Sequence, residues 1–253
     1  MGPTRGRRRR RKPQRRQLTA THLYSRTMTK AAAALHIQDL KFRYPGTAPS
    51  APWIVDVQQL SIAPGEQVLL TGASGRGKST LLQLIAGLIE PNQGSIRIVR
   101  TDIHSLGSAK RDLFRGTWIG MIFQNFNLLR GFSAKENVLA SLMFSDVPKK
   151  EHEERALDLL KTVGIETPDR EVSQLSIGQQ QRVAVARAVA TSPALVLADE
   201  PTASLDPENS EAAMDLIQET CEKVGAALLC TSHDPSISKR FGRLESLNQL
   251  VTA

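Results

Sequence analysis

The stretch EQVLLTGASGRGKSTLLQLIAGLI, Glu66 to Ile89, changes character twice in a short span. It begins as an apolar run of valine and leucine, which predicts a buried strand. It then breaks into a glycine-rich segment and resumes as KSTLLQLIAGLI, apolar at helical spacing. Gly72, Gly77, Lys78 and Ser79 fit the pattern G-x-x-x-x-G-K-[ST], whose required setting is this order of strand, loop and helix. Glycine suits the loop because successive backbone N–H groups must curl around a phosphate, and side chains would obstruct them. The loop running from Gly72 through Ser74, Gly75 and Gly77 to Thr80 is therefore the candidate phosphate site. Lys78 would set a cation against the β- and γ-phosphates, and the Ser79 hydroxyl would reach a Mg2+ ion.

The same alternation extends outward from this unit. Leu35, Ile37, Leu40, Phe42 and Tyr44 read as half-buried strand, broken at PGTAPSAP, and WIVDV and LSI lead on to the Pro64-Gly65 turn. Further along, WIGMIFQ (118–124), ALVLAD (194–199) and AALLCTSH (226–233) are short continuous apolar runs, as strands covered on both faces by helices should be. Between 125 and 174 the pattern turns to polar helices with leucines at helical spacing, which predicts a helical insertion. The fold expected is α/β with a mainly parallel sheet. The chain shows no internal repeat.

Two further motifs carry chemistry. In LVLADEP an apolar strand would deliver Asp199 to the edge of the sheet beside the phosphate loop, where its carboxylate can hold Mg2+ through the hydration shell. Glu200, one residue on, would face the other way and take a proton from an attacking water. LSIGQQQRVAVARA, Leu175 to Ala188, puts Ser176, Gly178 and Gln179 at the mouth of a helix of small apolar residues. Such a mouth is a second anion site, because its N–H groups and the positive end of its dipole face outward.

The order of the Gly72 to Thr80 loop, Gln124, LSIGQQQR, LADEPTASLD and His233 resembles the ATP-binding-cassette family from Leu35 to the end of the chain. The resemblance implies a P-loop NTPase core with a mainly parallel sheet, a small antiparallel β subdomain and the helical insertion, over 35–253. It also accounts for the second anion site. Two cassettes pack head to tail, and the Ser176, Gly178 and Gln179 segment of one meets the γ-phosphate held by the other, an isologous arrangement. By the same resemblance Tyr44 stacks on adenine, and Gln124 senses Mg2+ and the attacking water. Asp206 links the two sites, and His233 contacts the γ-phosphate. Ile177 departs from the family's usual glycine, which puts only local loop flexibility in question. With ATP and Mg2+, Lys78, Gln124, Glu200 and His233 form the implied catalytic set, and Ser79, Gln124 and Asp199 the metal set.

Composition narrows the partners. The 253 residues carry a net charge of +8, yet residues 1–27 hold ten basic groups and no acidic one, leaving 23 basic against 25 acidic residues and a net charge of −2 in the remainder. The charge describes an arm expected to be disordered, and the near-neutral body argues against nucleic acid as partner. Residues 1–27 can equally be an upstream extension that the working protein does not need. Arg76 reads as solvated, and His22, His36, His104 and His152 as surface or packing residues. Cys221 and Cys230 have no metal-ligand spacing and suit a reducing compartment. No apolar run approaches the roughly 20 residues needed to cross a bilayer. The expected function is the ATPase subunit of a transporter, most similar to lipoprotein-release and macrolide-export ATPases. It would lie at the inner face of the plasma membrane, attached to separate membrane-spanning permease subunits. The alternatives are a soluble cassette ATPase acting on nucleic acid or ribosomes and a cell-division type cassette ATPase. A kinase or GTPase with the same phosphate loop leaves residues 175–188 unexplained.

Overall fold

The computed structural model describes residues 32–48, 50–73, 75 and 77–247. The basic arm 1–27, Ser74, Arg76 and the last residues, 248–253, lie outside them.

Apolar residues in β1 (Leu35–Phe42) recur at intervals of two, three and two, and β2 (Val55–Ile62) repeats the pattern. The interval of three marks where alternation slips. Asp39 adopts φ 51°, and the register of β1 against β4 (Gln93–Ile98) shifts between Gln38 and Lys41. The bulge lets Leu35, Ile37, Leu40 and Phe42 all face one core. With β5 (Thr101–Asp102) these strands make an antiparallel sheet ordered β2-β1-β4-β5. Two sequence expectations are corrected here. Of WIVDV only Val55–Val57 is strand, continuous with LSI in β2 and preceded by Trp53 and Ile54, and Tyr44 lies past the end of β1, where it is exposed.

The second sheet is wholly parallel, ordered β6-β7-β8-β3-β9. Its strands are β3 (Gln67–Thr71), β6 (Ile119–Ile122), β7 (Leu195–Asp199), β8 (Ala227–Thr231) and β9 (Arg243–Ser246). Every residue of β8 and the first four of β7 are buried, as helices on both faces require. WIGMIFQ contributes less strand than expected, because Trp118 is the last residue of α2 (Ser108–Trp118).

Helix α1 (Lys78–Ile85) lies between the two sheets. Leu81, Leu82, Leu84 and Ile85 share one core with β1, β2, β4 and the parallel strands. Its last carbonyls are capped by side chains: His104 Nε2 donates to Leu84 O, and Arg115 Nη1 donates to Ala86 O and Gly87 O. Beyond β6 come α3 (Ala134–Met143), opened by a Ser133–Glu136 capping box, and α4 (His152–Thr162). They bury Val138, Leu142, Ala156 and Leu160 against α5 (Ile177–Val189).

Helix α5 explains its own composition. Val185, Ala188 and Val189 pack toward the sheet with Leu69, Ile122 and Val196, while Val183, Ala186 and Ala190 complete the core of α3 and α4. Small residues on both faces let it approach two neighbours. After β7, α6 (Pro207–Val224) and the short α7 (Pro235–Ser238) complete the chain's helices among the described residues. Cys221 and Cys230 are buried in the sheet's core, where desolvation raises the Cys221 thiol to about 12 and pushes the Cys230 thiol up as well.

Strand β6 touches α5 through Gly120. A Cβ there would stand 2.2 Å from Ala188 O and 3.3 Å from Pro193 Cγ. Gly120→Ala is expected to cost about 1–3 kcal/mol of stability. Urea unfolding should show a lower midpoint at constant slope; an unchanged midpoint would mean that strand and helix separate freely.

Candidate functional site

The parallel register brings the C-terminal ends of β3, β8 and β7 side by side, with Asp199 opposite Thr231. Ligands of open α/β sheets bind at this edge. From β3 the chain enters the glycine loop, where Gly72, Gly75 and Gly77 take φ of 154°, 74° and 92°. Gly77 is confined as well as bent, since a Cβ would meet Ile54 O at 2.5 Å. It caps the N-terminus of α1, so the loop's amides and the helix dipole point the same way.

Lys78 is only 5% exposed, which is costly for an ammonium group unless it is fully partnered. Its Nζ donates to Gly72 O at 2.7 Å and Ala73 O at 3.2 Å, and stands 3.9 Å from Glu200 Oε1. The cation is thus folded back into its own loop and aimed at the acidic pair. Ser79 Oγ donates to Asp199 Oδ1 at 3.1 Å, joining helix α1 to strand β7. Next to it the Thr80 hydroxyl lies 3.3 Å from the hydroxyl of Tyr44, whose ring meets Phe42 edge-on at 5.0 Å. The exposed ring of Tyr44 therefore stands at the rim of the loop, where a flat base could lie on it.

Asp199 and Glu200 are separated by one strained peptide unit. Glu200 adopts φ 45°, a left-handed conformation that costs a non-glycine residue about 1–2 kcal/mol. Thr231 holds it there. Glu200 N donates both to Thr231 O at 3.2 Å and to Thr231 Oγ1 at 3.0 Å, and the same hydroxyl donates to Asp199 Oδ1 at 2.9 Å. Turned away from Asp199 in this manner, the Glu200 carboxylate receives His233 Nδ1–H at 2.9 Å on Oε2 and faces Lys78 with Oε1. The acceptor fixes which histidine nitrogen carries the proton. A pocket of about 350 Å³ opens here, lined by Glu200, Thr202, Ser210, Ser232, His233 and Asp234.

Ten of the residues singled out from sequence thus meet at one edge of the sheet: Tyr44, Gly72, Gly75, Gly77, Lys78, Ser79, Thr80, Asp199, Glu200 and His233. Five others do not join this cluster. Ser176 caps α5 in a capping box with Gln179: Gln179 N donates to Ser176 Oγ at 3.3 Å and Ser176 N to Gln179 Oε1 at 3.0 Å. A hydroxyl that accepts a cap bond still has its own proton to donate. Gly178 is exposed in the first turn, with nothing within 4 Å of a would-be Cβ. Asp206 caps α6 through Asn209 N at 3.0 Å. Gln124 follows β6, exposed, its carbonyl accepting from Ser204 Oγ at 3.3 Å.

Sequence reasoning missed two residues. Thr231 ends an apolar strand, and its only signal was a hydroxyl at the position paired with Asp199. Arg187, a cation among the small apolar residues of the second half of α5, donates to the carbonyls of Phe126 and Asn127 just after Gln124.

For a metal ion the edge offers oxygen ligands only, a hydroxyl from Ser79 and a carboxylate from Asp199 already joined to each other. That donor set fits Mg2+, a hard cation that takes one or two protein oxygens and completes its shell with phosphate and water.

Residues 55–203 match the family model described as ABC transporter. The chain is 39% identical over 191 residues to "Lipoprotein-releasing system ATP-binding protein LolD 1" of Rhodospirillum rubrum, covering 75% of this chain and 84% of that protein. Identity is also 39% over 194 residues with "ABC transporter ATP-binding protein YtrE" of Bacillus subtilis, covering 76% and 84%. With the "Macrolide export ATP-binding/permease protein MacB" of Syntrophobacter fumaroxidans it is 39% over 213 residues, 83% of this chain but 30% of that longer protein. Among solved structures, the dimeric cassette MJ0796 in a post-hydrolysis state bound to ADP and Pi superposes with a TM-score of 0.73 at 33% identity, covering 84% of this chain and 93% of that one.

Thr231→Val keeps the shape of the strand and removes the hydroxyl shared by Asp199 and Glu200. The expected loss is about 1–3 kcal/mol of folding stability. Nucleotide hydrolysis should fall more than nucleotide affinity does, and equal losses in the two would show that Thr231 does not position the acidic pair.

Proposed function

This chain belongs to the ABC transporter family as an ATP-binding, ATP-hydrolysing subunit, and from that premise we propose how its residues divide the work. One face of the cassette grips and cleaves ATP, a second face completes the ATP site of a partner copy, and a groove receives a membrane-spanning permease. The observation that carries this reading is the gathering of Lys78, Ser79, Asp199, Glu200 and His233 at one sheet edge while Ser176 and Gly178 open a different helix.

At the sheet edge the glycine loop's amides and Lys78 bind the β- and γ-phosphates, and Tyr44 supports the adenine. Ser79 and Asp199 hold Mg2+, which when bound neutralises charge on the phosphate oxygens. The Glu200 carboxylate takes the proton of the water that attacks the γ-phosphorus; the bond to the β-phosphate oxygen breaks and ADP leaves. His233, hydrogen-bonded to Glu200 through Nδ1, keeps that carboxylate turned toward the reacting end. Gln124 lies on the same side, at the end of β6, to monitor metal and water.

Ser176 and Gly178 serve the partner's nucleotide. The hydrogen bonds of Ser176 and Gln179 are with each other, and Gln180 returns to Leu175 O, so the mouth of α5 keeps outward donors for an anion that its own loop does not hold. The dimeric state of the related cassette MJ0796 supports this arrangement. Asp206, at the start of α6, lies on the path between the two sites.

Among the described residues no helix is long and apolar enough to cross a membrane. A groove of about 490 Å³ between α2, β6 and α3 is lined in part by Arg115, Gly116, Phe123, Phe144 and Arg187. Phe144, in that lining, is 70% exposed, and its chain neighbour Met143 is 71% exposed. Apolar exposure of this size supports docking of a permease segment there, at the inner face of the membrane. Relatives named for lipoprotein release and macrolide export favour an extraction or export role over the cell-division reading.

Glu200→Gln is expected to bind ATP and remain a dimer, because binding is preserved and the proton acceptor is gone. Light scattering of that variant in saturating Mg-ATP checks it, and a monomer there would sink the two-subunit sandwich. Ser176→Arg should abolish hydrolysis with nearly parental ATP affinity for the monomer; a matching loss of affinity would mean that the α5 mouth serves its own chain.

A further inference from the structure

Phe126 and Asn127, two residues after Gln124, adopt φ of 58° and 47°. Neither is glycine, so the bend carries strain that its short local bonds, Phe126 N to Phe123 O at 2.9 Å and Asn127 N to Asn125 O at 2.6 Å, have to offset. The fork of Arg187 holds them from outside: Nη2 donates to Phe126 O at 2.6 Å and Nη1 to Asn127 O at 2.6 Å. Arg187 is half-buried, desolvation lowers its pKa, and the two carbonyls partner the guanidinium where it is withdrawn from water. From the other side Ser204 Oγ donates to Gln124 O, so the segment is fixed at its start and at its bend. Arg187 also stands in the last turn of α5, the helix that Ser176 opens.

We propose that Arg187 is a positioning residue for ATP hydrolysis: by clamping the left-handed Phe126–Asn127 bend to α5, it fixes where Gln124 stands. The inference rests on the proposed role of Gln124. A guanidinium suits the task because two donors in a rigid plane meet two successive carbonyls, a match that a single ammonium cannot make. The bend also borders the permease groove, which Arg187, Phe123 and Asn127 line together.

The test compares full-length parental protein with Arg187→Met, Gln124→Ala and the double variant, measuring steady-state hydrolysis of Mg-ATP and equilibrium nucleotide affinity. Arg187→Met should lower kcat roughly 10- to 100-fold, the scale of a misplaced reacting group. KM and affinity should stay within about twofold of parental, because the residue does not touch the substrate. The double variant should be no slower than Gln124→Ala alone, since both changes remove one function. Arg187→Lys should recover part of the rate. It also serves if the methionine variant does not fold: a reduced kcat at parental affinity supports the clamp, and a parental kcat overturns it. Losses that multiply in the double variant overturn it too, as does full activity of Arg187→Met beside an impaired Gln124→Ala. Should Gln124→Ala itself run at the parental rate, the role of Gln124 falls first and the positioning inference falls with it.

Discussion

The parallel pairing of β8 with β7 on one side and β3 on the other is the constraint from which the site follows. It sets three C-terminal strand ends in a row, so the loop after β3, the acidic pair after β7 and the Thr231–His233 turn after β8 converge without any long-range adjustment. Polar groups then have to satisfy one another, because the middle of β3, all of β8 and the first four residues of β7 behind them are buried. Thr231 does most of this, with one hydroxyl that bonds Asp199 and fixes the left-handed Glu200. The strain at Glu200 is what sends two adjacent carboxylates to different places, one beside Ser79 and the other between Lys78 and His233.

Helix α5 is the second organising element, because it belongs to two cores at once. Its sheet-facing and insertion-facing residues leave little room for polar groups, and the polar ones it keeps are informative. Ser176 and Gln179 cap its first turn, Gln181 reaches Pro201 O beside Glu200 at 3.3 Å, and Arg187 holds the bend after Gln124. One rigid rod therefore joins its own capped, exposed first turn to the segment after the acidic pair and the segment after β6. A rigid-body shift of this helix is felt at all three.

Much of this was legible before any coordinates. The loop at 72–80 could be read because its spacing demands backbone amides and one cation, and LVLADEP because a buried strand must end in something polar. The mouth of α5 at Ser176 was also visible, as a hydroxyl set ahead of a run of small apolar residues. Less legible were features that arise from pairing. The strand at Leu35–Phe42 hides its bulge in an interval of three, which looks like noise until Asp39 is seen in a left-handed conformation. Tyr44 reads as one more alternating strand residue, yet the chain has left the sheet by then. Trp118 is apolar for the sake of a helix rather than the strand that follows. Thr231 and Arg187 escaped notice because their partners, Asp199, Glu200 and the Phe126–Asn127 carbonyls, lie tens of residues away in sequence.

The burial of both cysteines has a practical bearing on how this molecule can be watched at work. Cys221 and Cys230 are the chain's full complement of thiols, each enclosed in the sheet's core and held as the unreactive protonated form at neutral pH. Maleimides and mild oxidants find no thiolate on the folded surface. The native chain is in effect a chemically silent background, and a single cysteine introduced on the rim of the groove or at the mouth of α5 would accept a fluorescent or spin label alone. Movement at either place could then be followed through the label, with the natural cysteines left in place.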